Sequence, residues 1–185
     1  ALKEDGSVVT WGNAEHGGDS SAVSENLKNG NITQVTSNGG RISWGSNGSF
    51  AALTKKGSVI TWGDATTGGD SSSVATQLQS GVIEIIPSGR AFLALKEDGS
   101  VVSWGSDTAG GETGIVTDIM DRSKDFSVAS QLQSGVKKIY ATDSAFAVLK
   151  DDGSVVSWGS DSTGGDSRSV STQLQSGVKK IYATE

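Results

Sequence analysis

One phrase recurs four times along this chain of 185 residues: a glycine turn, a pair of β-prone residues and a Trp-Gly, written "LKDDGSVVSWGS" at residues 149–160. The copies align on Trp11, Trp62, Trp104 and Trp158, at offsets of 51, 42 and 54 residues, and the turn glycines Gly6, Gly57, Gly99 and Gly153 keep the same offsets. A phrase of fixed internal spacing, separated by segments of variable length, marks a repeat protein in which each unit is one supersecondary element. The order within a unit is also constant. The Trp-Gly is followed by a Gly-Gly pair (from Gly17, Gly68, Gly110 and Gly164), an L-x-x-G (from Leu27, Leu78, Leu132 and Leu174) and a short apolar stretch such as "VKKIYAT". The chain is read as a single domain, 1–185, of approximate repeats 1–50, 51–92, 93–146 and 147–185.

Each segment has a local reading. In "FAVLKDDGSVVSW" two β-prone runs flank Asp152-Gly153, and Asp-Gly signals a two-residue hairpin turn. That turn predicts a register pairing Leu149 with Val156 and Ala147 with Trp158, and by the same arithmetic Leu93 with Trp104, Ala51 with Trp62, and Leu2 with Val9. In "SSSVATQLQSGV" the spacing of Val74 and Leu78, with serines before and Gly81 after, predicts a short helical turn. The apolar stretch that follows predicts a third strand. A three-stranded unit is too small to bury its apolar face alone, so units must stack in a ring or a row. The expected fold class is all-β: a propeller-like repeat protein of about four small antiparallel blades with short helical turns.

In the first unit the residue opposite Trp11 falls before Ala1. The expectation is either a segment of a longer array or two ends that meet in one sheet. Residues 131–142 and 173–184 are identical, as a recent duplication leaves them.

Composition narrows the function. With 26 glycines, one proline (Pro87) and no cysteine, the chain has neither disulfide staples nor thiolate metal sites. A formal charge of −6 argues against nucleic acid as a partner, since phosphate binding relies on clustered Lys and Arg. No window is apolar enough to insert in a membrane. A Gly/Ser-rich, acidic, cysteine-free repeat points to an extracellular or cell-surface setting.

Chemistry-bearing patterns are sparse. His16 is the single histidine, and beside Asp19 and Ser20 it reads as an exposed loop residue rather than a triad base. No enzymatic activity is expected. "TGGDSSS" lacks the lysine and strand-loop-helix context of a phosphate cradle and only loosely resembles a Ca²⁺ nonapeptide, so Asp19, Asp70 and Asp166 read as caps of helical turns, with no cofactor and Ca²⁺ as the alternative. The four repeated tryptophans read as core. Two insertions stand apart, at residues 38–48 and 113–126, and insertions in repeat arrays fall on loops, often on the binding face. They supply the candidate binding residues Arg41, Trp44 and Asn47 from the first, and Asp118, Met120, Asp121 and Arg122 from the second.

The stretch "ALKEDGSVVSWG" at residues 94–105, followed by a Gly-containing loop and a V-x-x-I stretch, resembles the repeats of the regulator of chromosome condensation family. It is closer to that family's bacterial relatives, which include β-lactamase-inhibitory propeller proteins. The resemblance implies a β-propeller, usually of seven blades, in which one blade mixes strands from both chain ends. It carries over no loop-borne function, because the family's N-x-x-G-Q-L-G is replaced here by sequences such as "SDSTGGDS". The expected role is a non-enzymatic structural or adhesive repeat module of a larger extracellular protein, bacterial-surface or phage-associated. Its partners would be copies of itself or a protein or glycan. The alternative is a ligand-binding or inhibitory propeller that recognises a protein or glycan through its inserted loops.

Overall fold

The computed structural model describes residues 1–29, 31–39, 48–111 and 128–183. Among the described residues nine strands form three antiparallel three-stranded sheets, each in chain order. They are β1 (Ile32–Asn38), β2 (Ser49–Thr54) and β3 (Val59–Gly63); β4 (Val82–Pro87), β5 (Ala91–Lys96) and β6 (Val101–Gly105); and β7 (Val136–Ala141), β8 (Ala145–Lys150) and β9 (Val155–Gly159). The third strand of each sheet comes ahead of the hairpin in the chain, so a sheet is assembled from the end of one sequence repeat and the hairpin of the next. Short 3-10 turns, including Ser72–Val74 and Val128–Leu132, occupy the connections where the sequence predicts helical turns.

The predicted hairpin register is wrong by one residue. Trp158 lies opposite Phe146 and not Ala147, and Leu149 lies opposite Val155 and not Val156. Trp104 likewise faces Phe92, Trp62 faces Phe50, and the first hairpin bridges Leu2 to Val8. The cause is the turn. Gly153 N–H donates to Lys150 O at 3.0 Å and Lys150 N–H to Ser154 O at 2.9 Å, so the loop holds three residues, Asp151, Asp152 and Gly153. Glycine takes the final, left-handed position at φ 79°, a conformation that costs a residue with a Cβ. Residues Lys3 to Ser7, Thr54 to Ser58 and Lys96 to Ser100 repeat this pair of bonds. The aspartate is therefore an addition to the turn and not its cause. Asp98 and Asp152 accept from the N–H groups of Ser100 and Ser154, whereas in the second unit, where Lys56 stands in that place, Thr54 Oγ1 accepts from Ser58 N–H at 3.1 Å.

A slip of one residue moves every side chain to the other face, yet here neither face is exposed. Ala91, Phe92, Leu93, Ala94 and Leu95 are all buried. Phe92, Ala94, Val102 and Trp104 pack back onto Ala51 and Leu53 of the preceding sheet. Ala91, Leu93, Leu95 and Val101 pack forward onto Phe146, Val148, Val156 and Trp158 of the next. The sheets thus stack face to face, and the first strands β1, β4 and β7 adjoin one another along one edge. Gln34 ties two of these strands, its amide donating to Ile85 O at 2.7 Å and accepting from Ile85 N–H at 3.1 Å.

Candidate functional site

The residues that recur in the sequence meet at the junction between consecutive sheets. Each buried tryptophan lies across the strand from a phenylalanine, with ring centroids 5.2 Å apart for Phe50 and Trp62, 5.4 Å for Phe92 and Trp104, and 5.6 Å for Phe146 and Trp158. The indole N–H then reaches into the Gly-Gly loop of the preceding unit: Trp62 donates to Gly17 O at 3.0 Å, Trp104 to Gly68 O at 3.0 Å and Trp158 to Gly110 O at 3.1 Å. A buried indole needs a partner for that N–H, and the loop carbonyl supplies it.

The glycines permit the approach. A Cβ at Gly17, Gly68 or Gly110 would stand 2.5 to 2.8 Å from the ring of Phe50, Phe92 or Phe146. The second glycine of each pair packs on the Trp-Gly carbonyl of its own unit, with Gly69 leaving only 2.3 Å between an added Cβ and Gly63 O. The pair is a contact surface for a neighbouring blade, which explains its repetition without a phosphate or a cation. A second tie holds the same loops: Ser49 Oγ donates to Thr67 O at 2.9 Å, Ser88 Oγ to Ala109 O at 3.3 Å and Thr142 Oγ1 to Thr163 O at 3.3 Å.

The aspartates sit at turns. Asp19, Asp70 and Asp166 accept from the N–H groups of Ser21, Ser72 and Arg168 at 2.8, 2.8 and 2.9 Å, each closing the start of a 3-10 turn. In the hairpins the serine hydroxyl and N–H of Ser7, Ser100 and Ser154 hold the carboxyls of Asp5, Asp98 and Asp152 below their ordinary range. For Asp5 the Ser7 hydroxyl is the main cause, aided by Ser7 N–H and by Lys3, and the shift runs from 3.8 to about 2. The sign follows from linkage: a carboxyl whose pKa is lowered by folding favours the folded hairpin above the unfolded pKa, and that contribution fades as pH falls through the folded one. An NMR titration of the Asp5 carboxyl should give a midpoint near 2, and Ser7→Ala should move it up toward the ordinary carboxylate range. A midpoint indifferent to Ser7→Ala contradicts this assignment.

Of the sequence-derived candidates, His16 ends an exposed 3-10 turn, Ala14–His16. Arg41, Trp44, Asn47, Asp118, Met120, Asp121 and Arg122 lie outside the described residues. Among the described residues no three His, Cys, Asp or Glu side chains cluster as metal ligands. The phenylalanines are the junction residues that sequence reasoning passed over, although "SFAAL", "AFLAL" and "AFAVL" each carry one at the same place.

These sheets and junctions define an all-β repeat protein of stacked, propeller-like blades. The chain is similar to three solved structures, and it spans a third or less of the length of each. The structure of Kap60 bound to yeast RCC1 (Prp20) matches at 18% identity over 69% of this chain and 29% of that one, with a TM-score of 0.41. The structure of Prp20p from Saccharomyces cerevisiae, described with its binding to Gsp1p and histones, matches at 18% identity over 69% of this chain and 30% of that one, with a TM-score of 0.42. Human WBSCR16 matches at 21% identity over 69% and 33%, with a TM-score of 0.38. No family model matches the chain, and no curated protein matches it.

Proposed function

We propose that this chain is a non-enzymatic structural repeat module, a stacking scaffold within a larger extracellular protein of a bacterial or phage surface, with an adhesive role toward a protein or glycan. The observation that carries the reading is the repeated link from tryptophan N–H to glycine carbonyl. It engages the residues that recur most faithfully in contacts between units. The aspartates of the first, third and fourth hairpins are likewise engaged by their own turns. A generic blade that stacks on its neighbour sets reach through copy number, which suits a surface fibre or stalk.

The test couples beads to the whole chain and measures their retention on glycan-coated and protein-coated surfaces, beside a panel of generic hydrolase substrates. Retention without turnover is expected. Turnover that survives repurification and falls with His16→Ala overturns the reading.

A further inference from the structure

In the second and third sheets the last residue before the hairpin turn is a lysine that reaches across to the helical turn beside it. Lys96 Nζ donates to Gln77 O at 3.0 Å, and Lys150 Nζ to Gln131 O at 2.9 Å. The stem of each lysine also lies over the glycine that leads into the adjoining strand, 3.5 Å from a Cβ added at Gly81 and 3.6 Å from one at Gly135.

The first sheet departs from this arrangement in three ways, all on one surface. Thr54 stands in the place of the lysine, since it faces Ile32 as Lys96 faces Val82 and Lys150 faces Val136. It is too short to reach the neighbouring turn, and its hydroxyl lies 2.7 Å from Ser58 Oγ instead. The connection is one residue longer, Leu27 to Ile32 against Leu78 to Val82, and it puts Asn31 where the other units have glycine. Asn31 O accepts from Lys55 N–H, as Gly81 O does from Glu97 N–H and Gly135 O from Asp151 N–H. Lys56 replaces the aspartate of the turn, Asp98 and Asp152 in the later hairpins.

A cleft of about 420 Å³ lies against these departures, lined by residues between Asn26 and Gln79. Small-molecule sites span roughly 300–1,000 Å³. Val59, Ile60 and Leu78 form its apolar part, and Leu78 is 2% exposed. Beside them stand the amides of Asn26, Asn29, Asn31 and Gln79. An amide offers donors and an acceptor together, the complement of a sugar hydroxyl, while the apolar part suits the C–H face of a pyranose ring. In a chain of net charge −6, no carboxylate is among the described residues lining the cleft, and Lys56 is the charged one.

We propose that this cleft binds an acidic saccharide, a uronic or sialic acid, with its ring hydroxyls on the amides and its carboxylate on Lys56. The assignment rests on the adhesive reading of the module and gives that reading a site and a ligand class.

Two substitutions write the other units' own residues into the cleft, so both should leave the fold intact. Thr54→Lys lets a lysine stem cover the cleft as Lys96 and Lys150 do, and Lys56→Asp turns its charge around. In two-dimensional NMR of the whole chain, oligosaccharides of glucuronic, galacturonic and sialic acid are titrated in beside glucose oligomers. At least one acidic series should shift the amides of Asn26, Asn31 and Gln79 to saturation. Glucose oligomers should bind about tenfold or more weaker, as loss of a hydrogen bond to a charged group implies. Thr54→Lys should abolish the shifts at an unchanged urea midpoint, and Lys56→Asp should weaken binding by the same factor as loss of the carboxylate. No saturable shift with any acidic series, binding indifferent to Thr54→Lys, or glucose oligomers bound as tightly as the acids overturns the assignment. The bead assay separates it from the wider reading: beads retained without these shifts place adhesion on another surface, and beads retained on nothing overturn the adhesive role whatever the cleft binds.

Discussion

Trp104→Ala should lower the unfolding free energy by about 3–5 kcal/mol, the range for truncating a large buried aromatic. The ring is 2% exposed and lies 5.4 Å from that of Phe92. Removing it opens a cavity between two sheets, leaves Phe92 without its stacking partner and strips Gly68 O of the 3.0 Å bond from the indole. Because the ring belongs to one sheet and its acceptor to the preceding loop, the loss also weakens the coupling between units. The urea transition should therefore broaden as well as shift. Trp11→Ala is the matched control: the same residue at the same place in the repeat, but exposed. It should change stability by no more than about 0.5 kcal/mol. Equal losses at the two positions would mean that the indole acts through the hairpin itself and not through the junction.

The contrast between those tryptophans marks what was legible in the sequence and what was not. The hairpin, the helical turn, the third strand and the need to stack follow from spacing and composition, because turn glycines and β-branched runs act locally. The register did not follow. Asp152-Gly153 points to a two-residue loop only if both residues take left-handed geometry, and a three-residue loop with glycine last uses the same letters. The alternation of Phe146, Ala147, Val148 and Leu149 gave no correction, because a strand covered on both sides is apolar at nearly every position. The acceptor for each tryptophan N–H lies 36 to 48 residues earlier in the chain. No local pattern announces such a bond, although the fixed order of Trp-Gly and Gly-Gly was its trace. The duplicated stretch makes the same point from the other side, since identical residues form a strand at 136–141 and none at 178–183. Pairing there is decided by the neighbouring hairpin.

A second matched pair tests the glycines. Gly68 and Gly164 occupy the same place in the second and fourth units, at φ 107° and 101°. An alanine at either position strains the backbone by roughly 1–2 kcal/mol. At Gly68 the new Cβ would also stand 2.8 Å from Phe92 Cδ2 and 3.4 Å from Trp104 Cδ1, both in rings held between sheets. Overpacking of that kind adds about 1–3 kcal/mol. Gly68→Ala should therefore destabilise by about 2–5 kcal/mol, the sum of those two ranges. Gly164→Ala, with nothing within 4 Å of its Cβ, should show the backbone cost alone. Chemical denaturation of both variants measures the difference between them, which isolates the contact with the neighbouring blade. If both cost the same, the Gly-Gly pair is required by its own turn and the close approach of the next unit's aromatic rings is incidental. A larger loss at Gly68, accompanied by a change in the emission of Trp104, establishes that the repeated glycines are kept short for the blade that packs on them.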